Sequence, residues 1–163
     1  MRCLLLLLAF GLSGCSANAD TQAKGSDGVV MIAEDDAEME AAIAHAQSTL
    51  DEFLSTVAKP PAGASGFKLK VELTESHGSE HFWVEPFKQT ATGFEGTLAN
   101  DPQIITGVKF GQGISFARSQ VSDWGYVLNG RQVGSFTVCV IMKHVSAQEA
   151  DSYKRDYGFD CPV

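Results

Sequence analysis

Basic residues are scarce in this chain: 12 Lys and Arg stand against 20 Asp and Glu, a formal charge of −8 over 163 residues. With no basic stretch to neutralise phosphates, nucleic acid and anionic membrane surfaces are disfavoured as partners recognised through charge. A basic protein partner remains compatible with this surplus of acid, although such a surplus more often only confers solubility. Long apolar runs are missing too, and the longest, residues 4–12, is about half the ~20 residues that a membrane-crossing helix needs. No G-x-S-x-G elbow is present, and Gly111-Gln112-Gly113 lacks the strand and helix flanks of a phosphate-binding loop. What is there, 44% apolar and 20% charged residues, is the composition of one ordinary globular domain.

The short apolar run is itself informative. Met1-Arg2 is a positive start, residues 4–12 form an apolar stretch, and Ser13-Gly14 are small residues before a cysteine, which together read as a secretory leader over residues 1–14. Leu12-Ser13-Gly14-Cys15 resembles the bacterial lipobox. The resemblance implies diacylglyceryl transfer to the Cys15 sulfur, cleavage before it, and acylation of the new amine with a palmitate-type chain. Several acyl chains, at about 0.8 kcal/mol per buried methylene, hold a protein on a membrane permanently. Ser16 stands where enterobacterial lipoproteins kept at the inner membrane carry Asp, and by resemblance to that sorting rule the outer membrane is favoured. The mature chain would carry 11 Lys and Arg against 20 Asp and Glu.

Of four cysteines, Cys3 leaves with the leader and Cys15 is the lipid acceptor. Cys139 and Cys161 remain in an oxidising compartment and are expected to pair, stabilising the fold by roughly 3 kcal/mol in the chain-entropy picture.

Residues 15–34 are small, polar and glycine-bearing, the composition of a flexible tether with a root-mean-square span of about 24 Å. Within it, residues 29–32 are apolar and suit an edge strand or a staple. Residues 35–163 then form the expected domain. Asp35-Asp36-Ala37-Glu38 has the form of a capping box, and Met39, Ile43, Ala46, Leu50, Phe53, Leu54 and Val57 recur at helical spacing, predicting one long helix over residues 36–58 that Pro60-Pro61 ends. His45 within it reads as a surface residue. Phe67-Lys68-Leu69-Lys70-Val71-Glu72-Leu73 alternates without error and predicts a half-buried antiparallel strand. Residues 80–87 form the return strand, and further strands are expected over residues 93–98, 104–110 and 114–116.

Asn129-Gly130, between apolar runs, is a strong hairpin signal, since both residues tolerate the positive φ of a type I′ turn. The second arm, through Phe136, Val138, Val140 and Met142, is apolar on nearly both sides and reads as a central covered strand. Ser146-Ala147-Gln148-Glu149 opens a short helix that Gly158 stops. The whole predicts an α+β fold: a long N-terminal helix on a curved, mostly antiparallel sheet of six or seven strands, with a short C-terminal helix.

Four stretches, Glu80-His81-Phe82-Trp83, Gly96-Thr97-Leu98-Ala99-Asn100-Asp101-Pro102, Val121-Ser122-Asp123-Trp124 and Gly134-Ser135-Phe136-Thr137, resemble in order and spacing the YegJ-like bacterial proteins that carry a domain of unknown function. The resemblance runs from the long helix to Cys161. It implies a small α+β domain and carries over no catalytic residue or cofactor.

His77-Gly78-Ser79-Glu80-His81 matches the H-x-x-E-H pattern of the inverted zinc peptidases, but that chemistry needs both histidines on one helix face, and here the pattern crosses a Gly-Ser turn. No metal site is expected; His77, Glu80 and His81 are only weak candidates. Asp123 reads either as a general base or as an acceptor for backbone N–H groups where the hairpin begins, and no neighbouring carboxylate or histidine supports the first. Trp83, Trp124 and Tyr126 are the amphipathic aromatics that would dominate an interface if they shared a sheet face, against the alternative of ordinary core. The expectation is therefore a membrane-anchored periplasmic binding module without catalytic residues or cofactor. Its candidate surface is Trp83, Asp123, Trp124 and Tyr126, and its partner an envelope protein or ligand rather than nucleic acid. The alternatives are a small hydrolase or metal-dependent enzyme using Glu80, His81 and Asp123, and an inhibitor of a basic toxin or lysozyme.

Overall fold

The structure, a computed structural model, describes residues 36–76 and 78–161. The expected leader, Cys3, Cys15, the tether with residues 29–32, and His77 lie outside the described residues.

Asp36 caps the first helix, its Oδ1 accepting the Met39 N–H at 2.8 Å, one residue later than the capping box suggested. The single long helix expected over residues 36–58 is instead two, α1 (Ala37–Ser48) and α2 (Leu50–Ala58), divided at Thr49 with φ −102° and ψ 4°. Hydrogen bonding explains the break. The His45 carbonyl accepts the Thr49 hydroxyl at 2.8 Å beside the Thr49 N–H at 3.1 Å, and the Trp124 indole N–H donates from the side to the Ala46 carbonyl at 3.0 Å, the carbonyl that a continuous helix would give to Leu50.

The six strands are β1 (Ala64–Glu75), β2 (Gly78–Gln89), β3 (Phe94–Leu98), β4 (Gly113–Phe116), β5 (Val121–Leu128) and β6 (Arg131–Gly134). They form one antiparallel sheet in the order β4-β3-β2-β1-β5-β6. The fold is α+β. The alternation in β1 sends Leu69 and Val71 to the face covered by α1 and α2, where Ala46, Leu50 and Phe53 meet Phe82, Val84, Val121 and Trp124 in the core. Phe53 stacks on Trp124 with ring centroids 4.9 Å apart. Asn129 and Gly130 take φ of 52° and 79°, joining β5 to β6 by the turn their sequence predicts.

Two expected strands are absent among the described residues. Residues 104–110 form a loop whose backbone is held by carboxylates: Glu80 accepts the N–H groups of Gln103, Ile104 and Ile105 at 2.8, 2.9 and 3.1 Å, and Glu75 accepts that of Gly107 at 2.8 Å. A segment whose N–H groups are taken by side chains has none left for a ladder. The second correction concerns the hairpin's far arm. The strand β6 is a four-residue edge, and Phe136–Met142 is a helix, α3, not a covered central strand. Gly134 at φ 75° and Ser135 at φ 57° turn the chain out of the sheet, and a Cβ on Gly134 would lie 2.4 Å from the Trp124 carbonyl oxygen. The Asp123 carboxylate then receives the first N–H groups of α3.

The last helix, α4 (Ala147–Tyr157), is capped by Ser146, whose Oγ accepts the Glu149 N–H, and stopped by Gly158 at φ 75°. Cys139 of α3 and Cys161 of the tail form a disulfide with Cα atoms 5.3 Å apart.

Candidate functional site

The face of the sheet opposite α1 and α2 is polar at its centre. Lys70 of β1 stands across from Trp83 of β2 on one side and from Asp123 of β5 on the other, with Lys68 two residues along the same face. The Lys68 ammonium lies 4.6 Å from the centroid of the Trp83 ring and that of Lys70 lies 5.5 Å away, both within cation–π range. Trp83 is fixed through its backbone, its N–H donating to Asn100 Oδ1 at 2.8 Å and its carbonyl accepting from Ala99 at 2.8 Å.

Beneath the lysines lies a closed polar network. Asp123 has no exposed surface, and its oxygens accept four hydrogen bonds. Oδ1 takes the N–H groups of Trp124 and Phe136 at 2.8 and 3.2 Å; Oδ2 takes the N–H and hydroxyl of Thr137 at 2.9 and 2.7 Å. Lys70 donates to the Thr137 hydroxyl at 3.0 Å, and Ser122 Oγ meets His81 Nδ1 at 2.9 Å. Burial pushes the Asp123 carboxyl up from its ordinary pKa, with the Thr137 hydrogen bonds and the Lys70 ammonium opposing. Burial lowers Lys70 against the pull of Asp123, and lowers Lys68 against that of Glu85 and Asp123. His81 is lowered by burial and then by the Lys70 charge.

A residue that sequence reasoning passed over completes the site. Ser135 is fully buried in a left-handed conformation, φ 57° and ψ 42°, and its hydroxyl has no hydrogen-bond partner among the described residues. It lies directly on Gly125 of β5: a Cβ there would sit 2.4 Å from Ser135 Oγ and 3.5 Å from Lys68 Cε. The Gly134-Ser135 pair was the available signal, a glycine placed where the apolar run would otherwise continue as a strand.

The structure divides the residues singled out in the sequence. Trp83 and Asp123 share the polar face, whereas Trp124 is 7% exposed on the helix-covered face and Tyr126 stacks on Phe67 there at 4.9 Å. Those four side chains therefore do not make one patch. Glu80 and His81, adjacent in β2, point to opposite faces, and Glu80 is occupied by the backbone of residues 103–105, so Glu80, His81 and Asp123 do not converge. No group of three His, Cys, Asp or Glu able to hold a metal occurs among the described residues. A shallow depression of ≈ 450 Å³ lies elsewhere, along β2 to β4, lined by residues including Pro86, Lys88, Glu95 and Ser115 and crossed by the Lys88–Glu95 ion pair at 2.9 Å.

No solved structure matches the chain. Over 93% of its length it is 30% identical to the uncharacterized protein YegJ of Escherichia coli K12, of which it likewise covers 93%. Over half its length it is 27% identical to a putative ankyrin repeat protein of Neisseria meningitidis serogroup B, covering 32% of that protein. With residues 36–161 matching the family described as uncharacterized proteins conserved in bacteria, from the cap of α1 to the disulfide, the chain belongs to the DUF2314 family.

Proposed function

We propose that this protein is an exported lipoprotein, acylated at Cys15 and held on the periplasmic face of the envelope with the outer membrane favoured, and that its domain is a binding module. Its recognition surface is the polar face of the sheet around Lys68, Lys70 and Trp83. The observation that carries the binding role is that Lys68, on a chain of charge −8, holds its ammonium over a half-buried tryptophan with no carboxylate paired to it among the described residues. A lysine held beside an aromatic ring rather than against a carboxylate keeps its N–H donors for a ligand. The Cys139–Cys161 disulfide supports an oxidising compartment, and the apolar start ending in Leu12-Ser13-Gly14-Cys15 supports the anchor.

Neither alternative has comparable support. The hydrolase set of Glu80, His81 and Asp123 is split between the two faces, and for an inhibitor of a basic toxin this face mixes Lys68 and Lys70 with Glu72 and Glu85 rather than presenting acid alone.

Fractionation and capture test the proposal. Cys15→Ala should move the protein from the membrane to the soluble envelope fraction. In pull-downs from envelope extract, Trp83→Ala should lose a component that wild type retains. Continued sedimentation of Cys15→Ala refutes the anchor, and equal retention by both proteins refutes the surface.

A further inference from the structure

Two polar groups on this face have hydrogen-bonding capacity that the described residues do not use, and both of their side chains border Gly125. The Lys68 ammonium carries three N–H donors and has no acceptor. The Ser135 hydroxyl is buried without a partner. Gly125 lets that hydroxyl lie on the strand backbone beside the Lys68 stem, since any side chain at this position would collide with it. The Ser135 backbone is held in the left-handed region, which glycine would occupy without strain. An unpartnered buried hydroxyl and a strained backbone at one residue are two costs that a glycine would remove together, and strain retained in this way collects at ligand sites.

We infer that Lys68 and Ser135, both bordering Gly125 and lying beside Trp83, together seat the carboxylate or phosphate group of a small anionic ligand. The chemistry follows from the donors: an ammonium and a hydroxyl whose side chains both border Gly125 offer N–H and O–H to an oxyanion, and the ammonium repels a cation. Asp123, the nearest buried acid, does not compete for the seat, because its oxygens are already filled by Trp124, Phe136 and Thr137 and its charge is opposed by Lys70. Glu85 acts on Lys68 through space without forming an ion pair, so it leaves the donors free. This inference rests on the polar face being the recognition surface and specifies the chemical group that the face takes.

The chain has only two tryptophans, and each indole N–H gives one resonance. In the full chain carrying Cys15→Ala, titration with inorganic phosphate or with acetate should shift the Trp83 signal saturably. The Trp124 signal, whose N–H is bonded to the Ala46 carbonyl, should stay in place. Lys68→Met should abolish the shift. Ser135→Gly should raise the melting temperature and weaken the ion by about fivefold or more, the loss expected for one hydrogen bond. Vesicles of phosphatidylglycerol that move the Trp83 signal when free phosphate does not would place the oxyanion on a lipid headgroup, and the reverse would place it on a soluble ligand. Absence of a saturable shift with either ion and with vesicles overturns the inference, a bridging water then being what the two groups hold. So does Ser135→Gly with a raised melting temperature and unchanged affinity. If Trp83→Ala loses its envelope component while no oxyanion binds, the recognition face stands and the seat falls; ion binding with capture unaffected is the opposite result.

Discussion

Replacing Asp123 by asparagine changes one atom and removes one charge at the centre of the polar network. The amide can keep Oδ1 for the N–H groups of Trp124 and Phe136, but its NH2 then faces the Thr137 N–H, which approaches Oδ2 at 2.9 Å. Donor meets donor, and a buried N–H left without a partner costs about 1–3 kcal/mol. Lys70, only 9% exposed, loses the carboxylate that opposes its burial, and removing one member of a buried charge pair costs about 3–5 kcal/mol. Burial also works against the ionised carboxylate in the wild type, which returns part of that sum, so the net expectation is about 3 kcal/mol at neutral pH. For a domain of this size that is about 10 °C in melting temperature. Urea unfolding followed by far-UV circular dichroism measures it. Adding Lys70→Met removes the uncompensated ammonium, so the double variant should recover about 1–2 kcal/mol relative to additivity. An Asp123→Asn variant within about 1 kcal/mol of wild type, or strictly additive behaviour of the pair, would refute the reasoning that this carboxylate holds β5, α3 and Lys70 together.

Glu80→Gln leaves one accepting oxygen where two serve the Gln103, Ile104 and Ile105 N–H groups and should cost about 1–2 kcal/mol, with hydrogen exchange accelerated among those amides and unchanged in β1. Reduction of the Cys139–Cys161 bridge, which closes a separation of 22 residues, should lower stability by about 3 kcal/mol; a midpoint insensitive to reductant would contradict the bridge's role. His81 titrates below its ordinary value near 6.5, so the folded protein holds fewer protons than the unfolded chain in that range. Stability present above about pH 6.5 is lost as pH falls through 6.5 toward the folded value, and His81→Gln should flatten this part of the profile relative to wild type.

Much of the fold was legible because local chemistry and tertiary structure agree. Asn129-Gly130 makes its turn, the alternation from Phe67 to Leu73 becomes half of β1, and Ser146 and Gly158 bound α4 where their residue types say they should. Legibility ends where a distant group decides the outcome. The apolar run from Phe136 alternates well enough for a strand, and it becomes a helix where Gly134 and Ser135 turn the chain and a carboxylate thirteen positions upstream takes the first N–H group. The period of residues 36–58 contains no sign that the Trp124 indole and the Thr49 hydroxyl will interrupt it. At the site, Asp123 was readable as an acceptor for backbone N–H groups, but its partners Phe136 and Thr137 were not. Strand parity alone separates Asp123 from Trp124, and this divided the aromatic surface that the sequence suggested.

The manner in which the sheet gives way to α3 has a consequence for the segment taken alone. Residues 131–142 have β-compatible patterning on both sides of the Gly134-Ser135 turn, and the group that receives the first helical N–H groups belongs to another strand. Excised as a peptide, the segment would lose the anion that seeds its helical turns and keep its extended preference, behaving as a chameleon with an adhesive streak. The first turn of this helix leans on a neighbour, so a variant that displaces the Asp123 carboxylate also unsettles where the ribbon ends and the coil begins.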